Sequence, residues 1–183
     1  MGKENPVFKK NYQDYLQKLS VDDMGRWHSV LGAAVNRDRK SATIPFLNTR
    51  YTISQMGIRD EYGTRPNYGV CVVLLKYLLM CPERVPNETT WIHSRDFRDT
   101  VQGQNKGLSE YAAKRISEDF SGNASLLQEA LTKLGGRVLE NEYPYDLSVS
   151  LPVLPRVPVL VLFNDRDEDF ASETLILYES RAH

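Results

Sequence analysis

Side chains that hold metals or carry redox chemistry are scarce in this chain, which has two cysteines and three histidines in 183 residues. Cys71 and Cys81 stand ten apart, a spacing that suits neither a CxxC redox pair nor a zinc pair, so both read as buried thiols. His28, His93 and His183 are scattered, and none falls in an HExxH pattern. The glycines form neither GxGxxG nor a P-loop, and no serine stands in GxSxG, so nucleotide binding and the hydrolase elbow have no motif behind them. An excess of one charge is also lacking. The 23 Lys and Arg against 24 Asp and Glu give no long-range pull toward DNA, RNA or anionic lipid, and nucleic acid has no support as a partner. The longest apolar run, GVCVVLLKYLLM, is shorter than the ~20 residues a membrane span needs. The opening MGKENPVFKKNYQDY has no signal-peptide core, and Pro6 stands where a myristoylation pattern wants Ser or Thr. A cytoplasmic protein without membrane contact is expected.

What is present is an ordinary globular composition: 41% hydrophobic and 26% charged residues, which argue for a single globular domain over residues 1–183. Pro6 followed by Val7, Phe8, Tyr12, Tyr15, Leu16 and Leu19 predicts a first helix. Ser20 and two aspartates precede Met24, Trp27, Val30, Leu31 and Val35, which predicts a capped second helix. ATIPFLNTRYTIS reads as a hairpin turning at Asn48 and Thr49, and MGIRDEYGTRPNYG reads as a loop. Val70 to Met80, stopped by Pro82, is apolar nearly all round and predicts a central helix. Ser94 is placed to cap a short turn, and the glycine-containing VQGQNKG is a loop. Leu108, Tyr111, Ala112, Ile116 and Phe120 mark an amphipathic helix; Leu126, Leu127, Ala130, Leu131 and Leu134 mark another, closed by Gly135 and Gly136. The last third changes period. Tyr145 to Val153 alternates like a half-buried strand, VPVLVLF reads as a more buried one, and TLILYE as a third. These imply an antiparallel meander with Pro152, Pro155 and Pro158 at strand ends or edges. The expected class is α+β: a mostly antiparallel sheet with helices packed on one face.

Two segments concentrate the chemistry. After VPVLVLF comes a loop with Asp165, Asp167, Glu168 and Asp169, closed by Phe170. Three aspartates alternate as in a calcium loop, but counting from Asp165 an EF-hand needs Gly and Glu where Phe170 and Ile176 stand. Three readings stay open: a solvated acidic turn that blunts a sheet edge, a ligand or partner contact, and a looser divalent-metal site on Asp165, Asp167 and Asp169. The second segment holds Trp91, His93, Arg95 and Asp96. There His93 is either a structural hydrogen-bonding group or a catalytic one, and Arg95, Asp96, Arg98 and Asp99 read as a salt-bridged turn. Lys76, among Val72 to Leu79, either extends its ammonium to water or is a buried, activated amine.

VVLLKYLL, TWIHSRDF, LGG and LPRVPVLVLFNDRDEDF followed by LILYES together resemble the prokaryotic domain-of-unknown-function family numbered 3786, from about Asn11 onward. The resemblance rests in its last block on Pro155, Arg156, Pro158, Asp167, Glu168, Asp169, Phe170 and Glu179. It implies kinship with uncharacterised proteins of bacteria and archaea, many of them anaerobes, some of which carry a four-cysteine iron-sulfur segment. With two cysteines this chain is expected to hold no such cluster, and no cofactor is expected. It departs from the pattern at Lys76, where histidine is common in the family, and it stops at His183, which implies a shortened C-terminus. No catalytic residue carries over.

The resulting expectation is a non-catalytic accessory domain of anaerobic prokaryotic metabolism. It would bind an unidentified small molecule or protein through Trp91, His93, Arg95 and Asp96 and through Asp165, Asp167, Glu168, Asp169 and Phe170. The alternatives are a divalent-metal-assisted hydrolase that uses the acidic loop and a structural partner subunit.

Overall fold

The computed structural model describes residues 6–85, 89–97 and 106–182, with only the backbone of 106–108. Gly2, Arg98, Asp99, His183 and most of the loop beginning at Val101 lie outside the described residues. The chain forms two compact units, residues 1–85 and 86–183. The class is α+β, as the sequence implies, and among the described residues every strand pairing is antiparallel. The strands are divided between two sheets, one in each unit.

In the first unit, α1 (Pro6–Gln17) opens on Pro6, whose missing N–H costs nothing in a first turn. The second helix is shorter than its apolar pattern. Ser20 caps a single 3₁₀ turn over Val21–Asp23, and α2 covers only Met24–Ser29. Gly32, with φ of 72°, then turns the backbone out of helix, so Val35 lies on β1 (Ala34–Asn36) instead. β2 (Ser41–Phe46) and β3 (Thr49–Ser54) form the expected hairpin, turning at Leu47 and Asn48, both left-handed as a type I′ turn requires. The stretch expected to be loop contributes β4 (Gly57–Asp60), which buries Gly57 and Ile58 against β3 in the order β1-β2-β3-β4. Its four residues are too few to show an alternation against the flanking breakers.

α3 (Tyr68–Leu79) is capped by Asn67, whose side chain accepts from the Val70 N–H at 3.0 Å. It buries Cys71, Val72, Leu74, Leu75 and Leu78 but leaves Val73, Lys76 and Met80 exposed, so it is one-sided and not central. Lys76 keeps its ammonium in water. α1 packs against α3, with the Tyr12 and Tyr68 rings 5.4 Å apart and the Arg65 guanidinium 4.0 Å over Tyr68. The Tyr12 hydroxyl fills the notch at Gly57, where a Cβ would approach it to 2.9 Å. Burial, with Cys71 beside it, pushes the Tyr12 phenol above its ordinary value despite the nearby Arg65.

The second unit is a five-stranded sheet in the order β5-β9-β8-β7-β6: β5 (Trp91–His93), β9 (Glu173–Glu179), β8 (Val157–Asn164), β7 (Leu147–Leu154) and β6 (Arg137–Val138). The β7-β8-β9 meander is the predicted one. β8 is buried on both faces, which explains its unbroken apolar run. Leu160 and Leu162 pack on one side with Leu139, Trp91, Tyr143, Tyr145, Leu175 and Leu177. By alternation, Val159, Val161 and Phe163 face the other side, where α4 (Lys106–Phe120) packs on β9 and α5 (Ala124–Lys133) on β7. The prolines sit where a donor is not needed. Pro155 is in the two-residue turn, Pro158 precedes the first β9 pair, and Pro152 lies beyond the reach of β6, which pairs only with Val149 and Ser150.

α5 ends at Gly135, whose φ of 90° makes the C-terminal turn, and Gly136 then lets the chain press onto β7. A Cβ there would lie 2.7 Å from Val149 Cγ1 and 2.8 Å from the Leu131 carbonyl oxygen. Gly136→Ala should therefore destabilise the protein by about 1–3 kcal/mol, the usual cost of overpacking. Urea unfolding checks this, and a wild-type midpoint would show that the contact yields without strain.

Candidate functional site

The acidic loop is chiefly a structural tie. α5 has no side-chain cap from its own Asn123; the Asp165 carboxylate supplies one from the end of β8. Asp165 Oδ1 accepts from the Gly122 N–H at 2.6 Å, and Oδ2 accepts from the Ala124 N–H at 3.1 Å. The Arg166 N–H and the Ser172 hydroxyl donate to the same carboxylate at 2.8 and 3.3 Å. Partial burial works against the charge, but these four bonds outweigh it and hold the carboxyl below the ordinary aspartate range. The Asp165 N–H in turn donates to Asp146 Oδ2 at 2.8 Å, joining the ends of β7 and β8.

Asp167 closes the loop on itself, its Oδ1 accepting from the Asp169 and Phe170 N–H groups at 2.9 and 2.7 Å. Glu168 and Asp169 are exposed, and Phe170 is 73% exposed at the tip. Asp165 and Asp167 therefore direct carboxylate oxygens at backbone amides, and no group of three or more His, Cys, Asp or Glu able to hold a metal occurs among the described residues. Both cysteines are buried thiols outside any disulfide.

The other segment divides. Trp91 packs with Leu160 and Leu162 as part of the core. Ser94 is the first residue of a 3₁₀ turn over Ser94–Asp96 and does not cap it. Asp96 closes that turn, accepting from the His93 N–H at 3.3 Å. Thus Asp96 is not paired with Arg95 as a salt bridge, and Arg95 takes part in no ion pair among the described residues.

His93 and Arg95 line an open groove of about 520 Å³. α4 forms a second wall and the start of β9 a third, because β5 runs antiparallel to β9 and carries the chain toward Glu173. Along α4, Ser109, Ala113 and Ser117 recur every fourth residue toward β9, with Ser117 Oγ 2.8 Å from Thr174 Oγ1 and Tyr178 Oη 3.5 Å from Ser109 Oγ. Beside them run Glu110, Lys114 and Glu118, of which Lys114 and Glu118 are 3.7 Å apart. Glu110 and Glu173 have no ion-pair partner among the described residues. His93 Nδ1 is buried and has no hydrogen-bond partner among them.

The groove thus gathers His93, Arg95 and Ser172 to Ile176, but not Trp91 or the Asp165–Phe170 turn. The α4 wall does not emerge from the apolar pattern of the sequence, which puts Tyr111 and Ala112 on the packed face; both are exposed. The signal that would have found it is the every-fourth-residue row of small side chains beside a row of charges.

Two antiparallel α+β units, the second with an open polar groove on its helical face, define the class of protein. Residues 23–183 match the family described as Domain of unknown function (DUF3786), and the chain belongs to that family. The match begins at Asp23 and not near Asn11, and it spans most of the first unit and all of the second. No curated protein and no solved structure matches.

The tie at Asp165 has a testable pH signature. A carboxyl whose pKa is lowered by folding stabilises the protein above the unfolded value of about 3.9, and that contribution is lost as pH falls through the folded value. Asp165→Ala should cost about 1 kcal/mol at neutral pH, as expected for a lost helix cap. The gap from wild type should shrink once pH drops below the ordinary aspartate range. Urea midpoints measured across acidic and neutral pH check it; a gap independent of pH would contradict the ionised tie.

Proposed function

We propose that this protein is a non-catalytic binding module and that the groove between α4, β5 and β9 receives a small polar ligand. One observation carries the reading: an open groove of about 520 Å³ presents Arg95 and two glutamates, none of them ion-paired among the described residues, beside hydroxyls. That volume falls within the ~300–1,000 Å³ usual for ligand sites. Binding is favoured over catalysis because no hydrogen bond links the His93 ring to a hydroxyl among the described residues, and that pairing is the usual way to activate a nucleophile. The acidic turn, occupied with backbone amides, is left out of the ligand site.

The test is thermal unfolding of the full chain against divalent ions, nucleotides, flavins, corrinoids, amino acids and short peptides. A ligand at 100 times its dissociation constant stabilises by about 2.7 kcal/mol, a rise of roughly 5–10 °C for a chain of this size. At least one compound should give such a rise, and Arg95→Ala should remove most of it. No rise with any compound, or a rise indifferent to Arg95→Ala, would overturn the assignment. A rise with a divalent ion that Asp167→Asn abolishes would overturn it in favour of the metal-site alternative.

A further inference from the structure

The charges that line the groove narrow the class of ligand, an inference that rests on the binding role proposed for it. The lining carries two cations, Arg95 and Lys114, against three carboxylates, Glu110, Glu118 and Glu173. Lys114 is already matched by Glu118 at 3.7 Å. Arg95 on one wall therefore remains, with Glu110 on α4 and Glu173 on β9.

Each simple ligand class conflicts with this set. A polyanion such as a nucleotide would meet one free guanidinium and two unpaired carboxylates, and like charges brought together oppose binding. A plain cation would satisfy the glutamates and leave Arg95, whose planar fork suits a carboxylate, without use. An apolar ligand would cover charged groups without pairing them, a cost with no return in hydrogen bonds. We infer that the groove takes a zwitterion, a free amino acid or short peptide whose carboxylate meets Arg95 and whose ammonium meets Glu110 and Glu173.

The flanking hydroxyls fit this class in a limited way. Ser117 and Thr174 bond to each other at 2.8 Å, so they form part of the wall and need no ligand. Ala113 and Ile176 add a small apolar surface. Recognition then rests on the two opposite charges of the ligand backbone, and side-chain selection is weak.

Isothermal titration of the full chain with the standard free amino acids and with Ala-Ala tests this, using AMP as the polyanion control. The best zwitterion should lose at least about tenfold in affinity when its carboxylate is amidated or its amine acetylated. Arg95→Ala should abolish the difference between free and amidated forms, and Glu173→Gln should reduce the difference between free and acetylated forms. Both positions are exposed, so the variants should fold as wild type. Equal binding of free and blocked forms would overturn the zwitterion. Binding of AMP but of no amino acid or peptide, abolished by Arg95→Ala, would overturn the zwitterion while sustaining the groove. Absence of binding by every compound in both experiments would overturn both.

Discussion

The Asp165 carboxylate joins more of the second unit than any neighbouring side chain. It stands at the end of β8, caps α5 through Ala124, fixes the α4–α5 turn through Gly122, and reaches forward to Ser172 just before β9. Gly122 has φ of 76°, and a Cβ there would lie 2.9 Å from the Arg166 side chain, so this turn is fitted to the loop that holds it. Because α4 and the start of β9 are two walls of the groove, the same carboxylate indirectly sets the spacing of the groove. The concentration of negative charge after β8 is therefore mostly architecture: one carboxylate ties, the next closes a turn, and the rest meet water.

Much of this is legible in the sequence where a segment is long enough to show its period. The helices over Pro6–Gln17, Tyr68–Leu79, Lys106–Phe120 and Ala124–Lys133 and the β7-β8-β9 meander follow directly from spacing, capping residues and breakers. β4, β5 and β6 do not emerge, since two to four residues carry no measurable alternation and exist as strands only because a partner edge is there to pair with. The division of the strands into two sheets is hidden for a related reason: local pattern gives the strand but not its sheet.

The candidate site is legible in half. Arg95 and His93 stand out because charge and aromatic residues crowd together there, whereas Trp91 shares that segment yet belongs to the core. On α4 the eye goes to Tyr111 and Ile116, but the helix approaches β9 through serines and an alanine. Hydroxyl pairs such as Ser117 with Thr174 replace part of the usual apolar contact, so hydropathy alone points to the wrong face.

The cap on α5 comes from a residue 41 positions downstream of the amide it accepts. A helix start whose donors are satisfied by its own neighbours can form early; this one completes its first turn only once β8 is in place. Contacts of such long sequence separation make chain closure precede their reward, which slows folding and ties distant elements into one transition. The second unit is thereby built to gain its α5 start and its central hairpin together, and a ribosome-bound chain that has released α5 but not Asp165 still lacks the group that finishes the helix.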